Sequence, residues 1–208
     1  MARSQEYEAR IQQLNWPDLK KLWVAICEGQ TPDWPDGRAF EYLILRAFQL
    51  NGVEIRWPFS VKLNKEIVEQ IDGTVYVGGL SCLIECKDSR EAKSIEVISK
   101  LRNQLLRRHG AAIGLVFSRN GYTGPALTLA QFVAPQTILL WNGEEIAHCL
   151  ARETFAEALI LKYRRHIEQG IADYDIRVEE IVGRRILSLK DRLMLRCCSV
   201  CSHPIHYL

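Results

Sequence analysis

The chain has 208 residues, of which 48% are hydrophobic and 25% charged, with a net charge of +2. That is enough material for one well-packed domain with an appendage, and short for two full domains. Near-neutrality excludes a protein that is basic throughout, so any nucleic-acid partner is expected on a local basic face. The opening MARSQEYEAR has no apolar core and does not read as a secretory signal. The longest apolar runs, such as AAIGLVF, are too short to span a bilayer, so a cytoplasmic protein without a membrane partner is expected.

In chain order, the segment from Tyr7 to about Glu28 reads as helical. Ile11, Leu14, Leu19, Leu22 and Ile26 form its apolar stripe, and Trp16-Pro17 is a place for a second helix to begin. GQTPDWPDG is a loop dense in turn formers. Asp36 is placed as the N-cap of a helix over Arg38 to Leu50, which stops at Asn51-Gly52. Val53 to Val61 alternates and reads as a first strand, with Pro58 marking an edge or a bend.

Gln70 to Val77 and Leu80 to Lys87 read as a hairpin around Gly78-Gly79. A helix is expected over Ser94 to His109, because Ile95, Ile98, Leu101 and Leu105 recur at helical spacing. Ala111 to Ser118 is continuously apolar, as in a strand covered on both faces. A helix over residues 123 to 133, a strand from Gln136 to Trp141, a helix from about Arg152 to Gln169 and a charged helical tail from 173 to 196 follow. The expected fold is α/β: a mixed central sheet flanked by helices on both faces. The main domain is placed at 1–150 and a helical C-terminal extension at 151–208.

The hairpin carries an unusual set of charges. Glu85 and Lys87 are two apart and share a strand face, while Cys86 points the other way. With the turn at 78–79, Asp72 falls opposite about residue 85, so the three groups converge if the register holds. A plain salt bridge is one account of them. The buried stretch LSCLI before Glu85 favours another, because a lone lysine neutralises only one of two buried carboxylates. Two carboxylates within reach of each other attract a hard divalent cation such as Mg²⁺, and the Cys86 carbonyl between them could add an oxygen ligand.

Asp72 with Glu85-x-Lys87, on a hairpin followed by a helix and a buried strand, resembles the PD-(D/E)xK nuclease superfamily. "GRAFEYLILRAFQLNG" (Gly37 to Gly52) and "HGAAIGLVFSRNGYTGPALTLA" are similar to segments of its Mrr-like, type IV restriction endonuclease branch. The resemblance covers about residues 36–142. Ile71 stands where the superfamily name has proline. It implies a restriction-endonuclease-like fold and Mg²⁺-dependent hydrolysis of DNA, with Mn²⁺ as a substitute ion. Asp72, Glu85 and Glu41 would be the catalytic acids and metal ligands, with the Cys86 backbone carbonyl. Lys87 would touch the attacking water or the phosphate and stabilise negative charge as it develops. Resolvase or exonuclease activity on the same core, and an inactive nucleic-acid-binding module, are the alternatives. Cleavage of both strands makes a homodimer the expectation.

Arg90, Lys93, Lys100, Arg102, Gln104, Arg107, Arg108 and Arg119 lie on or beside the helix after the hairpin and are candidates for DNA contact, against a plain solvated helix face. Trp57 and Tyr122 are candidate base-stacking residues, with ordinary packing as the commoner fate. Of the seven cysteines, Cys27, Cys82, Cys86 and Cys149 sit among apolar neighbours and read as buried thiols. Cys198, Cys201, His203 and His206 are zinc-type ligands, but their spacing is compressed for a finger. An incidental tail is the preferred reading over a Zn²⁺ site.

Overall fold

The computed structural model describes residues 2–108 and 110–179. The chain divides into two compact units, 1–174 and 175–208. Most of the second unit, including most of the tail segment 173–196 and the Cys198/Cys201/His203/His206 group, lies outside the described residues.

The first unit opens with α1 (Ala2–Gln12) and α2 (Trp16–Glu28). Asn15 separates them: its side chain accepts from the Asp18 N–H while the Asp18 carboxylate accepts from the Asn15 N–H, a reciprocal cap that starts α2 at Trp16-Pro17. The third helix, α3 (Arg38–Leu50), has the expected bounds. Its N-cap is Gly37, at φ 76, and not Asp36. Asn51 ends it and ties two distant turns together, donating to the Glu153 carbonyl at 2.6 Å and accepting from the Ala156 N–H at 3.1 Å.

The expected single strand over Val53–Val61 is two strands. β1 (Glu54–Arg56) pairs with β4 (Gly73–Val77). Trp57-Pro58 then breaks the ladder, since proline has no N–H to donate. β2 (Phe59–Leu63) leaves the main sheet and pairs with β3 (Glu66–Ile71) as a separate two-stranded ribbon. Its turn, Asn64-Lys65, has φ of 49 and 71, the left-handed pair that closes a two-residue hairpin. Gln70 and Ile71, assigned from sequence to the hairpin strand, belong to this ribbon.

β5 (Leu80–Lys87) pairs antiparallel with β4 and parallel with β6 (Ala112–Ser118), which pairs parallel with β7 (Ile138–Trp141). Among the described residues the main sheet has the order β1-β4-β5-β6-β7. α4 (Ile95–Leu106) and α5 (Gly124–Gln131) cover one face, where Leu83, Val97, Ile98, Leu101, Leu105 and Val116 form the core. α3 lies against the other, with Phe48 meeting Phe117 edge-on and Phe117 stacked on Trp141.

The helix expected from about Arg152 to Gln169 is present and begins at Phe155, and a helix that was not expected precedes it. α6 (Gly143–Arg152) starts on an Asn142–Glu145 capping box, and α7 (Phe155–Gln169) follows a break at Glu153, whose φ is 61. Of the four described cysteines, Cys82, Cys86 and Cys149 are buried thiols, and Cys27 is exposed on the outer side of α2.

Candidate active site

Hairpin register brings the site together. Gly73 pairs with Ile84, and one further step in the same register sets Asp72 opposite Glu85. Directly opposed residues of an antiparallel pair share a face, so Asp72 joins the Glu85/Lys87 side. The Asp72 carboxylate accepts a hydrogen bond from the Cys86 N–H at 2.8 Å, which fixes it at the end of β5. Glycine at 73 is required there: at φ 156, a Cβ would stand 2.6 Å from Leu45 Cδ2 and 3.0 Å from the Arg56 carbonyl oxygen.

Glu85 is 0% exposed, and Lys87 forms an ion pair with its Oε1. Lys100, reaching in from α4, lies 2.8 Å from both carboxylate oxygens. Lysines with side chains 32% and 45% exposed thus connect a fully buried acid to solvent. Glu41, on the first turn of α3, accepts from Arg38 Nη1 at 2.5 Å. Three carboxyls and three cations therefore meet at the C-terminal end of β5.

The electrostatics are those of a crowded acid group. Burial first, and the neighbouring Asp72 charge second, push the Glu41 carboxyl up to about 7, against the pull of Arg38 and Lys87. Burial and the Glu85 charge raise the Asp72 carboxyl, opposed by the Cys86 N–H and both lysines. For Lys87, burial would lower the ammonium, but Glu85 and Asp72 outweigh it and hold its pKa above the ordinary value.

Among the described residues no group of three His, Cys, Asp or Glu side chains is gathered closely enough to hold a metal ion. Lys87 and Lys100 occupy Glu85, and the Cys86 amide occupies Asp72. The donor chemistry nevertheless fits Mg²⁺, which takes one or two carboxylates and keeps several waters. Raised pKa values at Asp72 and Glu41 mark carboxylates that a divalent cation would relieve. Asp72 and Glu85 are the residues that would hold it, with Glu41 and the Cys86 carbonyl beside them.

The candidate DNA-contact residues fall into two sets. Lys100 is engaged by Glu85; Arg107 and Arg108 both clamp Glu69, the latter at 2.6 Å; Arg119 holds Asp88 at 2.6 Å. Gln104 is buried and donates to the Gln70 carbonyl at 3.1 Å, fastening α4 to the ribbon. Arg90, Lys93 and Arg102 have no side-chain ion pair among the described residues. Lys87, Lys93 and Lys100 line a depression of about 440 Å³ beside Ser94, the N-cap of α4. Glu91 and Glu96 line it too, so three ammonium groups face two carboxylates there, and the net positive charge at a helix N-terminus suits a phosphate. Tyr122 is turned inward, its hydroxyl donating to the Val116 and Trp141 carbonyls, and Trp57 is stacked on Tyr42. Arg38 was missed from sequence, although its three-residue spacing from Glu41 on a helix was a legible signal.

This fold and this group of acids and lysines define a restriction-endonuclease-like nuclease domain of the PD-(D/E)xK type, in its Mrr-like branch. The chain belongs to the restriction endonuclease family Mrr_cat, whose model matches residues 34–150. Three solved structures are similar to it. Protein VC1899 from Vibrio cholerae is 16% identical, with a TM-score of 0.44 over 57% of this chain and 33% of that one. A protein of unknown function, AF1548, is 19% identical, with a TM-score of 0.41 over 49% and 56%. The MspJI restriction endonuclease, in complex with a 27-mer oligonucleotide, is 15% identical, with a TM-score of 0.39 over 78% and 38%. The chain thus spans about half or less of the length of these relatives. No curated protein matches it.

Proposed function

We propose that this chain hydrolyses phosphodiester bonds in DNA as a Mg²⁺-dependent endonuclease, with Mn²⁺ able to substitute, in restriction or DNA processing. The observation that carries this reading is the convergence of Asp72, Glu85 and Lys87 at one end of β5, inside a restriction endonuclease family domain. A divalent ion held by Asp72 and Glu85 would polarise the scissile phosphate and make a bound water a better nucleophile at neutral pH.

The side chains of this protein do the rest. Lys87, kept protonated by Glu85 and Asp72, donates to negative charge that develops on the phosphate oxygens. Lys100 holds the Glu85 carboxylate by both oxygens and fixes its orientation. Arg38 does the same for Glu41. Lys93 and the start of α4 bind a neighbouring phosphate of the strand. No covalent enzyme intermediate is required. Two strand cuts in a duplex favour a homodimer. No helix among the described residues is long and apolar enough to cross a membrane, and the reading places the protein with DNA in the cytoplasm.

The test is incubation with supercoiled and linear DNA, in Mg²⁺ or in EDTA, beside Asp72→Ala and Lys87→Ala. Cleavage is expected only with the metal and only in the wild type. A wild type that cuts nothing with Mg²⁺ or Mn²⁺ sinks the reading. Nicking or cutting that survives in both variants moves the chemistry elsewhere. Products released only from ends, or only from branched DNA, would select the exonuclease or resolvase form of the same chemistry.

A further inference from the structure

On the Arg38 side of the acids lies a concavity that the hydrolytic chemistry leaves unused. Its volume is about 790 Å³, and four elements wall it: Tyr7 and Glu8 from α1, Arg38 and Tyr42 from α3, Phe59 and Lys62 from β2 and Ile67 from β3 of the ribbon. Arg38 belongs to both places, lining the concavity while its Nη1 bonds Glu41 at 2.5 Å. One side chain thus links the concavity to the catalytic cluster.

The walls combine aromatic surface with charge, of which Arg38 is shared with Glu41. Tyr7 stacks on Trp34 at 5.5 Å and 28°, and Tyr42 stacks on Trp57 at 5.5 Å and 23°. Trp34 and Tyr42 are 5.8 Å apart, so the four rings form one connected group. Rings held this way lose little conformational freedom when another flat group is laid on them. Arg56 lies over Phe59, 3.8 Å from its ring centre, and holds that ring in place. Lys62 is exposed, and neither Lys62 nor Glu8 has a side-chain partner among the described residues. Burial also raises the Glu8 carboxyl, as expected of an acid without a compensating cation.

This set of groups matches the parts of a nucleotide. Aromatic faces receive a base; a carboxylate accepts from the exocyclic amine of cytosine or adenine; two cations flank a phosphate. The volume is that of a small-molecule site, which admits one or two nucleotides and not a duplex. Resting on the DNA-nuclease reading above, we propose that this concavity is a subsite for unpaired DNA. A nucleotide next to the scissile phosphate places its base on Tyr7 and Phe59, with its own phosphate between Arg38 and Lys62. The protein then acts on DNA whose strand is open beside the cut: a flap, a gap, a junction arm or a flipped base.

Binding is measured in EDTA, without turnover, by fluorescence anisotropy of a labelled deoxycytidine oligonucleotide and, separately, of a blunt duplex. Tyr7→Ala and Phe59→Ala should each weaken single-strand binding by about tenfold, the usual size of one stacked base. Tyr7→Phe should retain it, and duplex binding by Tyr7→Ala should stay at the wild-type value. Should either alanine variant melt below the wild type, Lys62→Glu replaces it. That exposed residue should give a similar loss and a shallower salt dependence. Wild-type single-strand affinity in correctly folded variants overturns the proposal. So does a concentration-dependent change in oligomeric state that Tyr7→Ala abolishes while DNA binding is unmoved, because the concavity would then hold a second copy. The two readings fail separately. A wild type that binds the oligonucleotide at this surface but cleaves no DNA refutes the hydrolase and supports the subsite. One that cleaves DNA while pocket variants bind unchanged refutes the subsite alone.

Discussion

Two buried acid–lysine groups stand among the described residues, and they differ in almost everything but composition. At Glu145 and Lys162 the side chains are 1% and 0% exposed and sit 2.7 Å apart. Lys162 also donates to the Leu140 carbonyl at 2.5 Å and lies 4.8 Å from the centre of the Trp141 ring. Glu145 accepts from the Asn142 N–H, so the same carboxylate caps α6. That group is sealed and joins α6 and α7 to β7. At Glu85 the acid is equally buried, but both its lysines reach solvent, and two further carboxyls crowd the same end of the strand. A buried ion pair by itself says little about function. Surplus acid, raised carboxyl pKa values and an open cationic rim set the second group apart.

Substitution can break this contrast most sharply at the sealed pair. Lys162→Met removes the buried Glu145–Lys162 ion pair and should lower unfolding free energy by about 3–5 kcal/mol in urea titrations. The cleavage rate per folded molecule should be unchanged. A variant that is fully stable, or one that is stable and inactive, would undo the distinction.

Next in size is the converse experiment. Lys87→Ala should cut the rate of DNA cleavage by roughly 10²–10³-fold. Its melting temperature should shift little, because Lys100 still neutralises Glu85. A large stability loss with normal catalysis would make the open group structural too.

The pH dependence then separates raised from lowered acids. Glu41 titrates at about 7 when folded against an ordinary 4.5. The folded protein thus holds the extra proton, and in EDTA its stability should fall as pH rises from 4.5 to about 7. In denaturation measured across the range, Glu41→Gln should make that slope shallower, leaving the part due to the raised Asp72 carboxyl, and a slope unchanged by the substitution would acquit Glu41.

The smallest effect has the opposite sign. Burial opposes ionisation of Glu69, but hydrogen bonds and charge from Arg108 and Arg107 prevail and hold its carboxyl below 4.5. Its contribution is complete above pH 4.5 and is lost as pH falls through the lowered folded value. The stability difference between wild type and Glu69→Gln should therefore narrow in acid, and a difference constant with pH would contradict the assignment.

Much of this was legible from residues alone, and the reasons are local. α3 could be bounded because Asn51-Gly52 stops a helix whatever surrounds it. The Gly78-Gly79 turn made the β4–β5 hairpin legible, but a one-residue slip would turn Asp72 to the other face, and only the observed pairing fixes the register. The ribbon β2–β3 escaped because its turn, Asn64-Lys65, has left-handed backbone angles without a glycine to advertise them. α6 escaped although Asn142 and Glu145 carry a capping signature, because the residues after Trp141 read as a connection to the helix expected from about Arg152. Lys100 read as one basic residue among several on a helix. Only packing of α4 against β5 brings it to Glu85, 15 positions away.

Gly73 gives the site a mechanical dependence that no charge reveals. The space a Cβ would need is filled by Leu45, one turn along α3 from Glu41. The sheet that carries Asp72 and the helix that carries Glu41 are thus spaced by the absence of one methyl group. Adding it would move both acids relative to each other while every catalytic side chain stayed in the sequence. The reaction centre can therefore be thrown out of alignment by a residue that no inventory of chemical groups would include.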